Sequence, residues 1–114
     1  MSDATPGSDD DDLFAVDVQH EAGATIALLR LEGELDTATV GELNAVLERV
    51  VANGATDLRI DMAAVPFMDS TGLTALLTAR GRLEGRGVVT VESASSAVRR
   101  TFEVAGLDVV FGTA

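Results

Sequence analysis

The chain has 114 residues, enough for one domain whose core requires neither metal nor disulfide. It has no cysteine, which excludes disulfides, zinc–thiolate sites and thiol catalysis. The formal net charge is −11, and the eight basic residues, all arginine, are scattered without interleaved aromatics, so nucleic-acid binding is disfavoured and a protein partner with some positive surface is favoured.

Residues 1–12 hold five of the nineteen acids and almost no apolar content, and they read as a disordered acidic tail ahead of a domain at 13–114. The start has no basic leader or apolar core of a signal peptide, and no apolar run reaches the length of a membrane span. A cytoplasmic protein is expected, with a monomer as the simpler state. Phe14, Val16 and Val18 alternate with Ala15, Asp17 and Gln19, the pattern of a half-buried strand near a sheet edge. Glu21-Ala-Gly-Ala24 reads as a turn, and Thr25 to Leu31 is more continuously apolar, as a central strand would be.

Gly33-Glu-Leu-Asp36 follows that strand. A helix then places Leu43, Val46, Leu47, Val50 and Val51 on one face and ends at Asn53-Gly54. Thr39 and Glu42 have capping-box spacing, with Asp36 or Thr37 as caps for an earlier start. Leu58-Arg-Ile-Asp-Met62 alternates as a strand, and Leu73, Leu76, Leu77 and Leu83 recur at helical spacing from about Ser70 to Glu84. Gly85-Arg-Gly87 breaks that helix, and Gly87 to Val91 is a strand of the buried kind. Ser93 to Ser96 offer caps for a third helix with a Val98, Phe102 and Ala105 stripe, ended by Gly106. Val109, Val110 and Phe111 suggest a last short strand. Alternating strands and helices predict an α/β domain with parallel neighbours, opened by an antiparallel pair.

The chemistry of an enzyme is missing. His20, the lone histidine, ends a strand far from the serines and has no ligand-spaced partner, so it reads as a turn residue. There is no lysine, no nucleophile elbow, and no Gly-rich loop between a strand and a helix. Glu32, Glu34 and Asp36 share one loop, a weak arrangement for a metal, and no metal or cofactor is expected. What remains is Val65-Pro-Phe-Met-Asp-Ser-Thr-Gly-Leu73, which puts hydroxyls and Asp69 at a strand-to-helix junction. A helix start has unpaired N–H groups and favours negative charge, so a hydroxyl there caps the helix or carries a phosphate.

Gly33-Glu-Leu-Asp36, the 65–73 stretch and Ala97-Val-Arg-Arg-Thr-Phe-Glu-Val-Ala-Gly-Leu-Asp108 together resemble the STAS domains, specifically bacterial anti-sigma factor antagonists of the sporulation and general-stress type. The resemblance covers about residues 13 to 112. It implies a STAS fold, a mixed four- or five-stranded sheet with flanking helices. It also implies a partner cycle: the unmodified protein binds an anti-sigma factor that is a serine kinase, phosphorylation breaks the complex, and a serine phosphatase resets it. By motif position Ser70 is the phosphoacceptor, with Thr71 the second choice. Glu34, Asp36, Thr37, Asp69, Ser70, Thr71, Gly72 and Thr74 would form the partner surface. The chain departs from the pattern at Thr74, where these antagonists often have glycine, and at Ser95 or Ser96, where a proline is usual. It ends about where most members begin a fourth helix. The competing readings are a STAS scaffold or transport-associated interaction module without a phosphate cycle, and, lower, a small nucleotide- or ligand-binding domain.

Overall fold

The computed structural model describes residues 14–113; the acidic tail at 1–12 lies outside the described residues. Four strands, β1 (Phe14–Gln19), β2 (Ile26–Gly33), β3 (Asp57–Ala64) and β4 (Val88–Ala94), form one sheet in the order β1-β2-β3-β4. Helices α1 (Val40–Ala52), α2 (Ser70–Leu83) and α3 (Ser96–Ala105) follow β2, β3 and β4 in turn, and a single helical turn, α4 (Asp108–Phe111), closes the order. β1 pairs antiparallel with β2, whereas β2, β3 and β4 are mutually parallel. This is the expected mixed α/β sheet with flanking helices, in its four-stranded form, with β1 at an edge.

The core lies on one face of the sheet. Leu29 and Leu31 of β2, Leu58, Ile60 and Met62 of β3, and Val89 and Val91 of β4 are buried with Leu43, Leu47 and Val50 of α1, Leu76 and Leu83 of α2, and Val98 and Phe102 of α3. Phe102 and Phe111 meet at 5.5 Å between ring centroids, tilted by 53°, an arrangement aromatic pairs prefer over face-to-face stacking. The chain turns from α2 into β4 at Gly87, where a Cβ would lie 2.0 Å from the Thr56 carbonyl oxygen. That oxygen accepts from Val88 N–H, so only glycine lets the two backbones meet there.

Three expectations give way. Val109 to Phe111 form a helical turn rather than a strand. It tucks Phe111 into the core while Val109 stays exposed, an outcome that strand alternation cannot produce with Val110 exposed as well. β2 and β4 are not buried on both faces: Ile26, Leu28 and Val88 are exposed on the side away from the helices, among Asp17, Arg30, Arg59 and Glu92. On that face Arg59 reaches Asp57 at 2.9 Å, and this hydrogen bond raises the guanidinium pKa. Leu77 and Ala105 are exposed; Ala75 and Ala79 take the buried stripe of α2 with its leucines.

Candidate functional site

Because β2, β3 and β4 are parallel, each delivers the chain to the same sheet edge before its helix begins. Residues 34–39 and 65–69 therefore run side by side at the carboxyl ends of the strands, where open α/β sheets hold their sites. The two loops are joined through the main chain. Leu35 N–H donates to the Phe67 carbonyl (3.0 Å), Asp69 N–H donates to the Leu35 carbonyl (3.2 Å), and Leu35 and Met68 form a parallel bridge. The side chains of Leu35 and Met68 point into the core.

The first loop is shaped from within. One Asp36 carboxylate oxygen accepts from Ala38 N–H (2.9 Å) and Thr39 N–H (3.2 Å). The buried Thr39 hydroxyl donates to the Glu34 carbonyl (2.8 Å) and accepts from Asp36 N–H (3.0 Å). Thr39 thus ties the loop back on itself and makes no side-chain bond to its helix, so the capping box with Glu42 is not formed; Asp36, the alternative, caps the entry turn. Glu34 and Thr37 are exposed beside it.

At the start of α2 the cap is Asp69, not Ser70. Its carboxylate accepts from Thr71 N–H (2.9 Å) and from the Thr71 hydroxyl (2.5 Å). An acid at this position pairs a free N–H and meets the positive end of the helix dipole. Ser70 is the first helical residue, exposed, and among the described residues its hydroxyl makes no hydrogen bond. Thr71 is half-buried with its hydroxyl engaged. Thr74, exposed one turn on, donates to the Ser70 carbonyl (3.1 Å). Gly72 faces inward: a Cβ there would lie 2.7 Å from Met68 Cγ and 2.9 Å from Leu35 Cδ2, both in the packed core. The motif glycine therefore lets the helix start sit against the joined loops.

Helix α3 braces the same edge. The Ser95 hydroxyl donates to the Val65 carbonyl (2.6 Å) and accepts from Val98 N–H (3.2 Å). Thr101 reaches the Met68 carbonyl (3.2 Å). On the other side of Ser70, Thr71, Thr74, Ala75 and Ala79 line a groove of about 410 Å³ against Val40, Asn44 and Leu47 of α1. The Arg82–Glu48 ion pair (3.0 Å) spans its far end, exposed enough to be worth under about 1 kcal/mol.

The structure therefore brings Glu34, Asp36, Thr37, Asp69, Ser70, Thr71, Gly72 and Thr74 onto one edge. Thr39, Phe67, Ser95 and Thr101 also build that edge and were not among the expected site residues. Ser95 was visible as a cap; Thr101 lies within the 97–108 stretch that carries the resemblance, but its pattern assigned Thr101 no role. His20 is elsewhere: Phe14 pairs with Gly33 at the site end of β2, while Gln19 pairs with Leu28 further down the strand. The His20 Nε2 meets the Ala24 carbonyl at 2.8 Å, and since a carbonyl only accepts, that nitrogen carries the proton. Among the described residues no group of three His, Asp or Glu side chains gathers for a metal, and no helix is long and apolar enough to cross a membrane.

The family model of the STAS domain matches residues 15–114. The chain belongs to the STAS domain family. Among curated STAS relatives it is 34% identical over 86 residues to the anti-sigma-F factor antagonist RsfB of Mycobacterium tuberculosis, covering 75% of this chain and 70% of that one. A crystal structure of an anti-sigma factor antagonist from Mycobacterium paratuberculosis superposes with a TM-score of 0.77 at 30% identity, over 88% of this chain and 84% of that one. The antagonist SpoIIAA in its unphosphorylated form shares the STAS fold, with a TM-score of 0.69 at 24% identity over 84% of each chain.

Proposed function

We propose that this STAS domain is an anti-sigma factor antagonist whose grip on its partner is switched by a phosphate on Ser70. The single observation that carries the switch is the contrast between two adjacent hydroxyls. Thr71 is bound to Asp69, whereas Ser70, at the first position of α2, is exposed and its hydroxyl has no hydrogen-bond partner among the described residues. A kinase needs a hydroxyl it can reach and reorient, and Ser70 is that group. The antagonist names of RsfB and of the Mycobacterium paratuberculosis protein support the partner class.

A phosphate on Ser70 adds about −1.5 to −2 charges and three acceptor oxygens. The free N–H groups and the dipole of α2 offset part of the repulsion from Asp69, so the fold tolerates it. A partner pressed on the edge meets both the bulk and the charge, and the complex separates. In this reading the anti-sigma factor is itself the serine kinase, a serine phosphatase restores the binding form, and the cycle runs in the cytoplasm where sigma factors act. The domain contributes surface and acceptor, not catalysis: the neighbouring Asp69 carboxylate is engaged with Thr71 rather than with the Ser70 hydroxyl, and His20 lies on another part of the sheet.

The test is to incubate the protein with ATP and a soluble extract of its own cells and map phosphate by mass spectrometry, alongside binding to the purified anti-sigma factor kinases of that bacterium. The expected outcome is one phosphate on Ser70, absent from Ser70→Ala, with Ser70→Ala binding retained and Ser70→Asp binding at least tenfold weaker. Equal binding by both variants removes the switch. No phosphate in an extract with active serine kinases moves the assignment to a STAS scaffold without a phosphate cycle.

A further inference from the structure

Three of the four phenylalanines, Phe14, Phe102 and Phe111, lie in the core at 0–1% exposure, and the fourth, Phe67, is 48% exposed. Its neighbours Val65 and Met68 are core residues, so the loop sends these two side chains inward and the aromatic ring outward. The backbone carrying it is fixed. Pro66 restrains the approach, Leu35 N–H holds the Phe67 carbonyl, and the next residue but one is tied to the Leu35 carbonyl. Ser70 follows three residues later, and Glu34, Asp36 and Asp69 bring acid to the same edge.

From this we infer that Phe67 is the apolar anchor with which the antagonist grips its anti-sigma factor, entering a pocket rimmed by basic side chains. The inference rests on the proposed function above and adds the residue that supplies affinity, as distinct from the one that supplies the switch. Binding hot spots are aromatic side chains seated in a dry centre and ringed by polar groups. A ring on a pre-organised backbone loses little freedom on docking, since only two side-chain torsions remain to be fixed. The acidic rim selects the occupant: a second copy would set acid against acid in a chain of net charge −11, whereas a basic partner surface is attracted. An anchor acts whether or not Ser70 carries phosphate, so removing it weakens encounter with the kinase without touching the hydroxyl that reacts.

The experiment titrates each purified anti-sigma factor kinase of the same bacterium with wild type, Phe67→Ala, Phe67→Leu and Ser70→Ala by calorimetry, and follows transfer of labelled phosphate from ATP. Phe67→Ala is expected to bind at least tenfold more weakly and to raise KM for the antagonist by a similar factor with kcat within twofold. Phe67→Leu is expected to stay within about threefold of wild type. Where Phe67→Ala loses its cooperative melting transition, Phe67→Gln carries the same expectation. If Ser70→Ala binds and the folded Phe67 variants bind equally well, the anchor is overturned and the functional reading stands. If neither wild type nor Ser70→Ala binds any of the kinases, the functional reading fails and the anchor with it. A fall in self-association of the free protein on sedimentation, with kinase affinity unchanged, assigns Phe67 to a contact between copies and also overturns the proposal.

Discussion

Helices α2 and α3 start in the same way and end up with serines of opposite character. Both follow a parallel strand and both open at the same sheet edge. At α3 the cap is Ser95, whose hydroxyl accepts from Val98 N–H and donates to the Val65 carbonyl; it has no freedom left. At α2 the capping duty belongs to Asp69, one residue earlier, and Ser70 is left exposed, its hydroxyl unpaired among the described residues. A serine at a helix start is therefore structural or available according to what precedes it. An acid before the serine releases the hydroxyl for chemistry.

That contrast can be broken or sharpened by substitution at each position. Ser95→Ala removes a cap and strands the Val65 carbonyl, and is expected to cost about 2 kcal/mol. Thermal denaturation should then show Tm lower by roughly 8 °C; an unchanged Tm would mean that Ser95 is as idle as Ser70. Asp69→Ala removes one cap without stranding a carbonyl and should cost about 1 kcal/mol by urea denaturation. It also frees the Thr71 hydroxyl, so phosphate mapping on this variant is expected to find modification at Thr71 as well as Ser70. Confinement to Ser70 in Asp69→Ala would show that Asp69 does not set the choice of hydroxyl. Ser70→Ala, with no side-chain bond to lose among the described residues, is expected to stay within about 0.5 kcal/mol of wild type.

Much of this was legible in the residues. Element order followed from the alternation of apolar patterns, and the motif at 65–73 marked the junction that became the site. The distinction between Ser70 and Asp69 as cap was not legible, because both residue types cap helices well and only geometry decides. The capping box at Thr39 and Glu42 failed for a related reason: Thr39 faces back into its loop, which spacing along the chain does not reveal. Ile26 and Leu28 concealed the exposed side of β2, since an apolar residue on an open face erases the alternation that would have betrayed it. Three apolar residues at 109–111 are too few to separate a strand from one helical turn. Phe67 read as one more apolar residue of the motif; its outward ring depends on the inward turn of Met68.

The bridge between the loops at Leu35 and Met68 has an evolutionary corollary. Its fastenings are peptide N–H and carbonyl groups, and its two side chains are given over to the interior. The side chains at positions 34, 67 and 70 ride on this frame without helping to hold it; only the carbonyls of 34 and 67 take part. They can drift in identity while their placement is inherited intact. A genome that duplicates such a domain can thus give each copy its own dialect of recognition, so that several parallel circuits share one architecture without crosstalk.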